Sequence, residues 1–304
     1  MVRPTLLALL LLPSVVAIAF VETPLSGSTT AQEPASSPNV DGAPPLSGKQ
    51  GEILYLRVKV EDHTVSVVGI LFGRRIPFFD ISEDEFAALV GIDMADVPGT
   101  VELMVEITSP EGTRQQSFAV AVAAEDFRDQ RLTLPKDQVD PDAAALKRIT
   151  REREKIQSVF GSPTPERLWK EPVVVPVDGV VTGAFGSRRI LNGQPRNQHN
   201  GEDIAAPLGT PLKATNNGLV RMVDDHFFSG RSVILDHGLG LYTVYSHLQT
   251  VKVKEGDRIE RGQIIGTVGK SGRATGPHLH WGAWLNGSRV NPFSLTRLPV
   301  EGPP

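Results

Sequence analysis

Three short groups of residues carry the chemistry open to this chain: His199-Asn200-Gly201-Glu202-Asp203, Tyr245-Ser246-His247-Leu248 and His278-Leu279-His280. Six of the seven histidines follow residue 198, and four of those six sit in these groups. Imidazole nitrogen and carboxylate oxygen are the donors a catalytic zinc ion takes, three from the protein with one corner left open. Residues two apart on a strand share a face, so His278 and His280 project together. One can then bind an ion while the other faces the open corner. His199 and Asp203 are four apart, in a segment that ends at Pro207 and lacks helical apolar spacing. It reads as a loop running into a strand, with Gly201 expected to let the backbone bend so that both side chains reach one ion. The chain has no cysteine, which excludes thiolate ligands. It also has no H-E-x-x-H run, so a helix-borne glutamate base is not expected, and Glu202 should point away from the ion.

Each group also has an ordinary reading. A His-x-His pair alone is more often a surface or packing pair, and Asp203 alone could be a solvated loop carboxylate. Three groups in this order, each in glycine-marked, strand-end surroundings, favour a metal. The remaining histidines invite no such role. His237, in Asp236-His237-Gly238, is expected to be a solvated or turn-bonding residue. His226 falls in a polar loop before Phe227 and Phe228, and His63 is expected to be solvated.

Taken together, H-x-G-x-D, the Tyr-x-His-Leu strand end and Gly-Pro-His-x-His resemble the lysostaphin/LytM-type zinc metallopeptidases, which cut peptidoglycan peptides. The likeness runs from roughly Val173 to Phe293, including Val180-Val181-Thr182-Gly183-Ala184-Phe185-Gly186 and Val253-Lys254-Glu255-Gly256-Asp257-Arg258. The resemblance implies one Zn(2+) held by His199, Asp203 and His280. It implies His247 and His278 as non-ligand catalytic histidines around the attacked carbonyl, with the choice of base between them open. The implied substrate is a peptidoglycan stem peptide or cross-link. A non-catalytic LytM-type activator or binder of cell-wall hydrolases is the alternative; it predicts a missing ligand or histidine, and none of the five is missing. The run Val251 to Gly272 also resembles the turns of biotinyl and lipoyl carrier domains, but that reading leaves the histidines unexplained.

The elements that must position these residues are mostly β, and 304 residues with 40% hydrophobic content allow about two domains. Residues 1–19 read as a signal peptide: Arg3, an apolar run broken at Pro13, then Ala17-Ile18-Ala19. Export across the inner membrane to the periplasm or cell envelope follows, with an uncleaved anchor as the alternative. Residues 20–51, rich in Pro, Ser, Thr, Gly and Ala, read as a flexible linker. From 52 to 124 apolar residues alternate, as in Leu54, Leu56, Val58 and Val60 or Val101, Leu103, Val105 and Ile107. Turn residues punctuate them at Gly73-Arg74, Pro98-Gly99 and Pro110-Glu111-Gly112. That pattern predicts an immunoglobulin-like β-sandwich, with one helical turn inserted between Asp80 and Leu89.

A connector spans 125–171, with a helix over about 141–160 capped by Asp140, opened by Pro141 and stopped at Gly161. Its Lys/Arg/Glu run from Lys147 to Lys155 predicts a solvated face, with a lid over the groove as the sharper reading. Residues 172–297 form the domain that carries the histidines. Strands are expected at Val173–Val175, 219–223, 232–235, 241–245, 263–268 and 279–285, making an antiparallel β fold with an open groove. A net charge of −4 gives no reason to expect nucleic acid. The N-terminal β-domain carries no constellation able to do chemistry and reads as a spacer or a module that binds cell-envelope proteins.

Overall fold

A computed structural model describes residues 46–299 apart from Asp62 and Glu171. The expected signal peptide and most of the expected linker lie outside the described residues. The linker ends earlier than its composition suggests, because Leu46–Lys49 is a strand that pairs in parallel with Gly112–Ala123. Leu46 packs against the apolar core beside it, which a stretch of small and polar neighbours hides from compositional reading.

Two sheets build the N-terminal half. One has the strand order 46–49, 112–123, 99–109, 66–71 and 74–77; the other has Ile53–Lys59, Glu85–Gly91 and Phe79–Ser82. Leu56, Val58, Val90, Leu103, Val105, Ile107 and Val120 come from both sheets and meet in one buried cluster, the outcome alternation with one apolar face dictates. The helical turn expected between Asp80 and Leu89 is absent: those residues form two strands of the second sheet. Ala87, Ala88, Leu89 and Val90 are all buried, because this strand is covered on both faces, and a run buried on both faces shows no strand period.

Asp129–Leu132 then pairs in parallel with Arg188–Leu191, and a single helical turn, Lys136–Val139, precedes the long helix Ala143–Phe160. The long helix is capped by Asp142, whose carboxylate accepts from Ala145 N at 2.8 Å, and not by Asp140. Asp140 is already used: its own N–H donates to Lys136 O and closes the preceding turn. Gly161 does end the helix, in a right-handed conformation (φ −79°). Ile149, Ile156, Val159 and Phe160 lie on one stripe of the helix. Phe160 stacks on Trp284 (5.0 Å between centroids, 22° between planes) and meets Tyr242 edge-on at 5.1 Å. Charged groups finish the docking: Lys155 Nζ pairs with Asp224 at 2.8 Å, and Glu152 accepts from Phe227 N. The connector is therefore packed on the C-terminal sheet along its length.

That sheet has eight strands, in the order 180–183, 201–205, 278–285, 241–246, 230–236, 218–226 and 258–259, with Ser288–Val290 added beside 278–285. Leu279 and Trp281 are fully buried, and the alternate face of the same strand carries His278, His280 and Trp284. A second, three-stranded sheet joins 211–213, 264–267 and 250–251. Val173–Val175 is not a strand: Val174 N donates to Thr215 O and no ladder follows. Val173 and Val175 instead fill space beside the core.

The two halves are locked together where Ser288–Val290 meets the end of Glu85–Gly91. Asp93 accepts from Arg289 N (2.6 Å), Nε (3.0 Å) and Nη2 (2.6 Å) and from Ala95 N (2.8 Å), while Ser288 Oγ donates to Gly91 O. Burial alone would push the Asp93 carboxyl up; these donors outweigh it and hold the carboxyl below its ordinary range. Asp93→Asn keeps the shape but removes the charge facing Arg289. It is expected to cost about 1–3 kcal/mol of stability in urea unfolding, and an unchanged midpoint would refute the clamp.

Candidate metal centre and groove

Strand register sets the centre. Asp203 lies directly across from His280 and Ala205 across from His278, while Ser246 flanks His280 from the other side. Cross-strand neighbours of this kind bring side chains within about 5 Å. His199, just before the strand, is buried, and its Nδ1–H donates to Ala184 O at 3.0 Å. That bond fixes the tautomer and turns the bare Nε2 inward. Nε2 stands 2.9 Å from His280 Nδ1 and 3.0 Å from Asp203 Oδ1, and His280 Nδ1 stands 2.9 Å from the same oxygen. One ligand atom from each of the three residues lies within 4.8 Å of the others.

The chemistry of this donor set is that of a cation site. A neutral His199 already spends its proton on a carbonyl, so its lone pair faces a carboxylate and a second imidazole. Donors gathered on one point in this way suit a cation, and two imidazoles with one carboxylate fit a single zinc ion. Arg189 supplies charge from the other side: its Nη2 donates to Asp203 Oδ2 at 2.8 Å, leaving Oδ1 toward the histidines. Burial would raise the Asp203 carboxyl, but the imidazoles of His199 and His280 set against it hold it far below the ordinary range. His199 is pushed down to about 4, chiefly by burial.

Two glycines make room. A Cβ on Gly201 would stand 2.7 Å from the His280 ring, and one on Gly183 would stand 2.5 Å from Asp203 Oδ2. Gly201 thus serves close approach; its φ is not positive, so the bend expected from the sequence is not its role.

His247 and His278 lie next to this cluster, with ring centroids 4.6 Å apart. His278 Nδ1 donates to Gly276 O at 2.8 Å, and its Nε2 is 3.7 Å from Asp203 Oδ1. His247 Nδ1 donates to Ser271 O at 2.8 Å. Both rings therefore keep Nε2 as the bare nitrogen. His247 sits at φ 65°, a left-handed conformation that a non-glycine residue adopts at a cost of about 1–3 kcal/mol. Backbone bonds from His247 N to Ser229 O and from Leu248 N to Arg231 O hold it there. Burial first, then the His278 and His280 charges, push His247 down to about 3.

A groove of about 900 Å³ is lined by His199, His247 and His280. Ile149, Glu152 and Phe160 of the long helix form part of one wall, and Arg189, Arg196 and Arg273 line it as well. The helix is thus both connector and wall. His226 ends a strand, borders the groove and is buried, with Nδ1 2.9 Å from Ser232 Oγ. His237 is not solvated: its ring is fully buried between Asn217 O (2.6 Å) and Thr243 Oγ1 (2.7 Å). His63 is exposed. Glu202 faces away from the cluster, accepts from Asn291 Nδ2 at 3.0 Å and is pushed up to about 7 by burial. The sequence reading passed over Arg189 and Arg273, since no spacing ties a guanidinium to a carboxylate fourteen residues on or to a groove.

Residues 197–292 match Peptidase family M23. Over 93 residues the chain is 44% identical to the peptidoglycan DD-endopeptidase ShyA of Vibrio cholerae serotype O1, a match covering 31% of this chain and 22% of that protein. It is 42% identical over 102 residues to the DD-carboxypeptidase/endopeptidase Mpg of Neisseria meningitidis serogroup B, covering 34% of this chain and 23% of that protein. The chain thus spans less than a quarter of the length of these curated relatives. A solved structure of an M23 peptidase candidate from Pseudomonas aeruginosa is 28% identical with a TM-score of 0.60, covering 84% of this chain and 96% of that one.

Two outcomes follow from this geometry. Arg189→Ala frees Asp203 Oδ2 and its orientation, and is expected to weaken zinc binding by about 10–100-fold in chelator competition; unchanged affinity would discount the contact. In metal-free protein, His199 and His247 stay neutral where the unfolded chain, titrating near 6.5, takes up protons. The unfolded state then binds more protons, so stability is full above about pH 6.5 and falls as pH drops toward about 4. Urea unfolding of chelator-treated protein across that range measures the loss, and a flat profile would contradict it.

Proposed function

We propose that this chain is an exported zinc metalloendopeptidase that hydrolyses peptide bonds in peptidoglycan stem peptides or cross-links. The observation that carries this reading is the meeting of His199, Asp203 and His280 beside two imidazoles that keep Nε2 bare, inside an open groove. The endopeptidase names of the ShyA and Mpg relatives support the substrate class. His199, Asp203 and His280 would hold the ion, which when bound polarises a carbonyl and lowers the pKa of water to about 7.

The rest falls to the chain's own side chains. In this reading His247 or His278 takes a proton from water at its bare Nε2 and returns it to the leaving amine. The imidazolium formed in between lies where negative charge develops on the attacked carbonyl oxygen. The bonds to Ser271 O and Gly276 O keep each ring turned for that exchange. The groove admits an extended peptide along the face of the 278–285 strand, bounded by the long helix.

In the same reading, residues 1–19 direct export and 20–45 are a tether. Residues 46–124 form an immunoglobulin-like sandwich that spaces the enzyme or binds envelope proteins, and 172–297 are the peptidase domain. Two features support the sandwich: two sheets around one core, and strands short enough for about seventy residues to supply them.

Digestion of purified cell walls tests the activity. Wild-type protein is expected to release new amine termini, and chelation to stop the release. His278→Ala, with zinc content unchanged, should lower the rate by about 10²–10⁴-fold. Zinc-loaded wild type that leaves walls intact yet stimulates a separate hydrolase would establish the activator reading in its place.

A further inference from the structure

Arg273 lines the groove with no ion pair to an acid found among the described residues. It lies in the loop between the strands 264–267 and 278–285, half-buried, with its guanidinium over the Phe228 ring at 4.1 Å. Its backbone N–H donates to Phe228 O at 2.7 Å, which fastens the loop to the segment beneath. Of its five side-chain N–H donors, the hydrogen bond found among the described residues is a long one, Nη1 to Gln138 O at 3.4 Å. Its neighbours are occupied: Arg189 donates to Asp203, and Arg196 donates to Asp140 Oδ1 at 3.1 Å. Glu152, the acid on the helix wall, already takes Arg148 and Phe227 N.

Arg189, Arg196 and Arg273, with the exposed Arg153 of the helix, line the same groove as the histidines, and Asp203 and Asp140 are spent on Arg189 and Arg196. Burial, then the like charges of Arg189 and Arg196, bring Arg273 down to about 10, so it remains charged at neutral pH. A fork of donors fixed by an aromatic face beneath it, desolvated and uncompensated, is the arrangement that takes a carboxylate in paired hydrogen bonds. Lysine would serve less well, since a point charge on a flexible stem matches neither the plane of the ring nor the two oxygens.

We propose that Arg273 anchors a carboxylate-binding subsite in the groove, so that the peptide preferred by this enzyme carries a free carboxylate near the bond that is cut. This rests on the peptidase reading above and adds the substrate's charge to it. The carboxylate can belong to a side chain or to a chain terminus; both present the same two oxygens.

The test uses the full chain loaded with zinc and synthetic cross-linked wall peptides in matched sets: both carboxylates free, the side-chain carboxylate amidated, or the terminal carboxylate amidated. Wild type is expected to lose about 10–100-fold in kcat/KM on one of the two amidations, and which one identifies the source of the charge. Arg273→Gln should bring the ratio of free to amidated substrate close to one, while Arg273→Lys keeps part of it. Equal rates on all three peptides in wild type, or an undiminished ratio in Arg273→Gln, would overturn the subsite. Calorimetric binding of the same peptides to His278→Ala protein, with and without Arg273→Gln, reads the subsite independently of hydrolysis. A carboxylate preference in binding that vanishes in the double variant, with no cleavage by wild type, would uphold the subsite and sink the peptidase. Circular dichroism melting of each variant excludes misfolding as the cause.

Discussion

The structure turns on one meeting, that of His199 Nε2, His280 Nδ1 and Asp203 Oδ1 at about 3 Å in a buried place. A cation placed among these atoms is attracted to all three, and more strongly in low dielectric than in water. The surrounding fold is arranged to enforce this meeting. Pairing of 201–205 with 278–285 sets Asp203 against His280, Ala184 O takes the His199 proton, and two glycines clear the space the rings and the carboxylate need. Each contribution is small, but together they leave the three atoms no room to separate. Preorganisation of this kind lowers the cost of gathering the three donors around a cation.

Much of the centre was legible because its logic is short-range. A period of two puts His278 and His280 on one face whatever sheet they join, and the glycine-marked strand ends point to where side chains gather. The partners that complete the site act across the fold. Arg189 reaches Asp203 only because 188–191 pairs with 129–132 and is drawn beside the 201–205 strand, a relation that no local pattern encodes. Arg273 is a loop residue among small and polar neighbours, and its meaning comes from Phe228 across the groove.

The discrepancies elsewhere have the same root. Asp236-His237-Gly238 is a turn, with Gly238 at φ 89°, as its residues suggest, yet turn chemistry governs backbone and leaves the imidazole free to fold inward onto Thr243. Val173–Val175 has the composition of a strand and packs as apolar filling, because the core beside it offers surface and no open ladder. The helix 143–160 shows its stripe plainly, but a stripe states only that one side will be covered. That Trp284 and Tyr242 do the covering follows from the sheet, and it brings the helix alongside the face that carries the histidines.

This last arrangement bears on how portable the C-terminal domain is. The floor of the groove comes from residues beyond 180, but part of one side is contributed by a helix that precedes it in the chain. The matched segment 197–292 therefore contains the ion-binding atoms without the complete cleft. A fragment cut at the edge of sequence similarity would keep His199, Asp203 and His280 but lose Arg189, the Ala184 carbonyl and the helix wall. In this chain the shape of the groove belongs partly to a segment that precedes the matched residues.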